Sequence, residues 1–371
     1  MTTKTPVETP VKTPVKTNLG NFFEDFRVGQ HLVHAPPRTV TTGEVALYTA
    51  LFGSRFAVNS SDPFAQALGL PRAPLDSMLV FHLVFGRTVA DISLNAIANL
   101  GYAGGVFGVP VYPGDTLTSD SRVIGLKPNK DGKTGVVYVR SSGVNQHGQT
   151  VLDYRRWVMV KKRDSDAGAP ETLVPVTPAT PVIPELPEFV PVTELHCPYT
   201  LAPGAYDSAR AGAGFLWDDY TVGERIDHID GMTIEEAEHM LATRLYQNTA
   251  KVHFNQHIER EGRFGKRIVY GGHVISLARA LSFNGLANAL NIAAIHAGRH
   301  SAPSFAGDTI YAWSEVVSKD ALPGRSDIGA LRIRTVATKD RDCHDFPGHD
   351  ATTADPAVVL DLDYSVLIPR R

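Results

Sequence analysis

The sequence predicts an α+β fold built twice in tandem, and two observations carry that prediction. The first is an ordered set of repeated blocks. Phe22-Phe23-Glu24-Asp25-Phe26-Arg27-Val28-Gly29-Gln30 is echoed by Leu216-Trp217-Asp218-Asp219-Tyr220-Thr221-Val222-Gly223-Glu224, with Gly29 and Gly223 separated by 194 residues. The same offset lays Asn59 on His253 and Ser54 on Asn248. Farther on, Pro110-Val111-Tyr112-Pro113-Gly114-Asp115-Thr116-Leu117 matches Pro303-Ser304-Phe305-Ala306-Gly307-Asp308-Thr309-Ile310 at an offset of 193. Matched blocks in one order indicate a duplicated unit. The second observation is the order of elements inside each half. One long apolar helix precedes several strand-like segments, and an antiparallel sheet with a helix on one face is an α+β arrangement.

Taken in order, the elements read as follows. Residues 5–16 repeat Thr-Pro-Val, and proline every fourth residue blocks helix and central strand alike, so residues 1–17 read as a disordered tail. Residues 18–164 form the first unit and 213–371 the second. Between them, 165–212 is a proline-rich linker; proline at this density favours an extended connector, and its interleaved Val, Ile, Leu and Phe predict that it packs along a surface. Each unit opens with an extended segment and then a helix start. Thr41-Thr42-Gly43-Glu44 and Thr233-Ile234-Glu235-Glu236 both have capping-box spacing. The long apolar helices run from Met78 to about Ile92 and from His273 to about Leu286. Strands are expected at Val136–Val139 and Val151–Val160, and again at Ala330–Val336 and Val358–Val366.

Bulk composition narrows the function classes. A length of 371 residues fits about two domains, and 43% hydrophobic residues suffice for a core in each. A net charge of −3 gives no case for a nucleic-acid or charged-membrane partner. The cysteines, Cys197 and Cys343, form no CxxC spacing, so neither a zinc site nor a disulfide framework is expected. No apolar run reaches the roughly 18–20 residues needed to span a bilayer. The N-terminus lacks the apolar core of a secretory signal, so a cytoplasmic protein is the expectation.

Chemistry concentrates in Tyr246-Gln247-Asn248-Thr249-Ala250-Lys251-Val252-His253-Phe254-Asn255 and the following Arg267-Ile268-Val269-Tyr270-Gly271-Gly272-His273-Val274-Ile275-Ser276. This pair of segments resembles the hydratase motif of the MaoC-like dehydratases and R-specific enoyl-CoA hydratases. The resemblance implies a hotdog fold, here a tandem or double one. His253 falls on the family histidine, Asn248 on the family aspartate, Gly271 on the glycine at the helix start, and Ser276 on a serine that lines the site in several relatives. The long fused chain, the Tyr246–Asn255 segment, and Asn99-Leu100-Gly101-Tyr102-Ala103 before a Pro-Gly-Asp turn resemble the mesaconyl-CoA hydratase subgroup. That resemblance implies reversible addition of water to mesaconyl-CoA, giving β-methylmalyl-CoA.

The expected roles follow. Asparagine at 248 only donates and accepts hydrogen bonds, so His253 is the sole titrating group and Asn248 orients the water. A histidine near pKa 6.5 suits proton transfer in both directions. Gly271 or Gly272 aims a backbone N–H at the thioester oxygen, and the helix dipole stabilises the enolate. Ser276, Tyr270 and Arg299 are the expected substrate-binding residues. Arg299 is the leading partner for the substrate's free carboxylate, with Arg55, Arg72 and Arg87 behind it. His239, His257 and His344 read as surface residues and His296 as a core candidate.

The first unit has neither acid nor histidine in Leu51–Asn59, and Asp76 and Ser77 stand where Tyr270 and Gly271 do. It reads as a degenerate copy that completes the sheet and shapes the pocket. No metal or redox cofactor is implied. The expected partners are a CoA-thioester substrate and further copies of the chain, as a homodimer or higher homo-oligomer. The rival readings are a general R-specific enoyl-CoA hydratase, an acyl-CoA thioesterase using Glu259 or Glu261, and a non-catalytic acyl-CoA binding module.

Overall fold

The computed structural model describes residues 16–163, 181–200, 205–350 and 355–371. Residues 1–15 of the expected tail, residue 164 at the end of the first unit, and 165–180 and 201–204 of the expected linker lie outside the described residues. The first half contains β1 (His31–Thr39), α1 (Thr42–Phe52), α2 (Ser77–Thr88), β2 (Ala96–Phe107), β3 (Thr116–Pro128), β4 (Thr134–Val144) and β5 (Thr150–Lys161). The second contains β6 (Arg225–Asp227), β7 (Met232–Thr233), α3 (Glu236–Leu245), α4 (Gly271–Leu281), β8 (Asn291–His300), β9 (Thr309–Ala321), β10 (Ile328–Lys339) and β11 (Val358–Pro369). All eleven strands join one antiparallel sheet, ordered β1-β3-β4-β5-β2-β8-β11-β10-β9-β6, with β7 beside β9. The halves meet where β2 pairs with β8, Tyr102 opposite Gly298 and Val106 opposite Ala294.

The repeat is visible in side-chain contacts as well as in topology. In the first half His34 Nε2 bonds Ser121 Oγ at 2.8 Å, and Ser121 bonds Ser141 at 2.7 Å. In the second His228 Nε2 bonds Ser314 Oγ at 2.8 Å, and Ser314 bonds Thr335 at 2.7 Å. Asp115 accepts the Tyr112 amide as Asp308 accepts the Phe305 amide. These buried polar chains are fully paired, which is why each half tolerates them in its interior.

The two long helices are the core. Met78 through Thr88 and Gly272 through Leu281 are all buried. Aliphatic and aromatic residues all round α2 leave no solvent face, as expected for a helix wrapped by a sheet. Both ends differ from the sequence reading. Beyond Thr88 the chain winds a π-helical turn, Val89–Ser93. The second helix starts two residues earlier, at Gly271, and its path breaks at Asn284 and Gly285.

One expected cap is corrected. Thr41 and Glu44 form the full box at the start of α1. Thr233 forms no box: it lies in β7, its hydroxyl 2.8 Å from that of Thr309. Its true counterpart is Thr39, which bonds Thr116 in the same way at 2.7 Å. Glu235 therefore occupies the cap position without a side-chain cap, and Glu236 pairs with Arg267 instead.

The described part of the proline-rich stretch lies against the sheet. Val182 exchanges two backbone hydrogen bonds with Leu126, and the Val190 amide donates to His296 Nδ1 at 2.9 Å. His296 is a core residue, bonded also to Ser365. Among the described residues, no helix is long and apolar enough to cross a membrane.

Candidate active site

After α3 the chain turns sharply at Gln247, whose φ is 53°, and then forms one helical turn, Lys251–Phe254. This turn fixes His253. Its Nδ1 stands 3.0 Å from the Ile268 carbonyl oxygen. A carbonyl only accepts, so Nδ1 carries the proton and Nε2 keeps the lone pair. The imidazole packs at a tilt of 61° on Tyr270, centroids 5.6 Å apart. Desolvation lowers its pKa to about 4; the Ile268 bond opposes that shift and nearby His239 reinforces it. The expectation of a value near 6.5 is corrected downward, and His253 is neutral at pH 7.

Gly271 and Gly272 open α4, where backbone N–H groups lack intrahelical partners. The absence of side chains here is required by packing. A Cβ at Gly271 would lie 2.5 Å from the His300 ring, and one at Gly272 2.3 Å from the Tyr270 ring and 2.5 Å from His82. Three rings thus crowd one helix N-terminus. His300 Nε2 lies 3.4 Å from the hydroxyl of Tyr102, a residue of the first half. Burial, then the proximity of His253, whose protonated form would repel a second cation, lowers the His300 pKa to about 4.

Beneath this layer a buried network joins the halves. Tyr48 OH donates to Ser276 Oγ at 3.0 Å, and His82 Nε2 lies 2.9 Å from the same oxygen. His82 Nδ1 lies 3.4 Å from Tyr270 OH. Desolvation, with His273 and His300 adding to it, lowers the His82 pKa to about 3, so this histidine is also neutral.

The fold therefore brings His253, Tyr270, Gly271 and Gly272 together. Ser276 sits one turn deeper, 1% exposed, engaged by Tyr48 and His82. Asn248 is buried and accepts the Ala250 amide at Oδ1, 3.0 Å away. It also lines a cavity of about 570 Å³ between the halves, together with Arg87, Thr243, Arg244 and Phe254. Arg299 does not join the group. Neighbouring residues on a strand face opposite ways; His300 faces the helix, so Arg299 faces outward. It is exposed and lies 3.6 Å from Asp361 on β11. His239, expected at the surface, is buried in α3. Glu259 and Glu261 make no hydrogen bond to the cluster among the described residues.

Sequence reasoning missed His82, Tyr48 and Tyr102, all supplied by the first half. One signal was available: His82 and Ser276 are 194 residues apart, the repeat offset itself. Among the described residues no group of three or more His, Cys, Asp or Glu side chains is arranged to hold a metal ion.

Known proteins resemble this chain over almost its whole length. The chain is 72% identical over 355 residues to a β-methylmalyl-CoA dehydratase of Chloroflexus aurantiacus, covering 95% of this chain and 98% of that one. It is 55% identical over 359 residues to a mesaconyl-CoA hydratase of Cereibacter sphaeroides, covering 95% and 99%. The crystal structure of a MaoC domain protein from Chloroflexus aurantiacus superposes with a TM-score of 0.90 at 70% identity, covering 96% and 100%. A Mycobacterium tuberculosis protein described as a double hotdog fold shares the fold, with a TM-score of 0.70 at 24% identity, covering 94% and 98%. The family match spans residues 12–355, and the chain belongs to the mesaconyl-CoA hydratase family.

Proposed function

We propose that this protein catalyses the reversible hydration of mesaconyl-CoA to β-methylmalyl-CoA, with the reacting groups in the second half, 213–371, and the first half, 18–164, supplying a wall. The observation that carries the reading is His253, anchored through Nδ1 to a backbone carbonyl with its Nε2 lone pair free. In hydration Nε2 takes a proton from water, and the oxygen adds to the carbon β to the thioester. The double-bond electrons pass to the thioester oxygen as an enolate. The Gly271 and Gly272 amides and the α4 dipole stabilise that charge. The proton then reaches the α-carbon, so one water is added and none of its atoms is lost. Dehydration runs the same steps backward. The depressed pKa keeps the base form dominant at neutral pH. Asn248 positions the water through the amide nitrogen that its turn bond leaves free.

The test incubates purified protein with mesaconyl-CoA and follows mass and free thiol together. A gain of one water without thiol release is the expected result. Thiol release would favour a thioesterase, and binding without turnover an acyl-CoA binding module. Faster hydration of crotonyl-CoA than of mesaconyl-CoA would favour a general enoyl-CoA hydratase.

A further inference from the structure

We propose that Arg87 is the specificity-determining residue that receives the substrate's free carboxylate, in the cavity between the two halves. The inference rests on the hydratase reading above. Arg87 lies in the last turn of α2, is 6% exposed, and lines the cavity that Asn248 also lines. Asn248 stands five residues before His253, so the cavity adjoins the segment that holds the base.

The charge around Arg87 is unbalanced. Its Nη2 is buried and has no hydrogen-bond acceptor, and no carboxylate among the described residues forms an ion pair with it. A guanidinium withdrawn from water without a counter-charge is unfavourable. Nearby Arg38 is different: it donates to the Leu245 carbonyl at 2.6 Å and pairs with Glu44. Arg87 and Arg38 repel, and that repulsion adds to the burial that lowers the Arg38 pKa to about 10. Arg244, exposed on α3, adds a further positive charge to the cavity wall. The cavity thus combines an unpaired fork of donors with surplus positive charge, a pattern that matches a planar carboxylate.

Five other arginines are committed elsewhere. Arg299 faces outward to Asp361. Arg72 donates to the Pro113 carbonyl. Arg55 lies over the Phe283 ring, 4.6 Å from its centroid. Buried Arg156 donates to Thr88, and buried Arg279 donates to the Ala289 carbonyl and lies over Phe56.

The experiment compares the full-length wild type with Arg87→Gln and Arg87→Lys. Titration calorimetry measures binding of succinyl-CoA, which carries a terminal carboxylate, and of butyryl-CoA, which does not. Arg87→Gln is expected to weaken succinyl-CoA by about 30-fold or more and butyryl-CoA by less than about 3-fold. Arg87→Lys keeps the charge but loses the fork, and falls between. Thermal melting serves as the folding control, with Arg87→Gln melting no lower than wild type because an unpaired buried cation is removed. Equal losses for both ligands, or none for succinyl-CoA, would overturn the assignment while wild-type turnover of mesaconyl-CoA leaves the hydratase reading intact. A wild type that neither hydrates mesaconyl-CoA nor prefers succinyl-CoA would overturn both.

Discussion

Asn59 and His253 make the same hydrogen bond at the same place in their repeats. Asn59 Nδ2 donates to the Pro74 carbonyl at 3.1 Å, and His253 Nδ1 to the Ile268 carbonyl at 3.0 Å. Donor and acceptor are each displaced by 194 residues. The first half has the anchor without the imidazole: an amide has no second ring nitrogen to present on its far side. The surroundings changed with it. Where the second half has Tyr270, the first has Asp76, a buried carboxyl that accepts the Met78 amide and raises its pKa through desolvation, against the opposing charge of Arg279. The comparison separates what the fold needs at this position, a donor to a carbonyl, from what the proposed chemistry needs, a lone pair.

The sharpest way to break the comparison is to make the halves alike. His253→Asn preserves the Ile268 bond and removes Nε2. Turnover of mesaconyl-CoA is expected to fall by about 10²–10⁴-fold with little change in melting temperature; a smaller loss would move the base elsewhere. Placing Asn59→His in that same background restores no activity, because Asp76 and Ser77 replace Tyr270 and Gly271. Recovered turnover would show that the first half had lost only its base.

Acid comes next in size. His82 and His273 have pKa values lowered to about 3, and His228, His253, His296 and His300 to about 4, all chiefly by desolvation. In the unfolded chain each titrates near about 6.5. As pH falls below that value the unfolded state takes up protons first, so stability is full above it and is lost toward pH 4. Urea midpoints should drop between pH 7 and pH 5, and hydration kcat/KM should show no limb at 6.5. A flat midpoint would mean that these histidines are not buried as described.

His82→Ala tests the joint between the halves. Removing the partner of Ser276 and Tyr270 should cost about 2–3 kcal/mol in urea unfolding and lower turnover through the loosened Tyr270. The smallest effect belongs to Asn59→Ala, about 1 kcal/mol with most turnover retained. Loss of activity there would give the first half a chemical role.

Much of this was legible from residues in order. Offsets of 193–194 exposed the duplication, and the change from a helical to an alternating pattern placed α2, α4 and the strands after them. The contrast of histidine with asparagine singled out His253, because a local motif carries its own spacing. What escaped depends on which surfaces meet. His82 and Tyr102 enter the site region only because α2 packs on α4 and β2 pairs with β8. Arg299 was placed by nearness in sequence to the following turn, when strand parity would have turned it outward once His300 faced the helix. His239 belongs to no constellation in the sequence and reads as a surface residue, yet it shares a helical face with Ala242 and Thr243, which are buried.

The His82–Ser276 hydrogen bond has a consequence for how such a protein can diverge. Because the two positions are equivalent in the repeat, a symmetric dimer of single units would have to meet there like with like, histidine against histidine or serine against serine. Joining the units in one gene removes that constraint. An unlike donor–acceptor pair then becomes possible on the pseudo-symmetry axis.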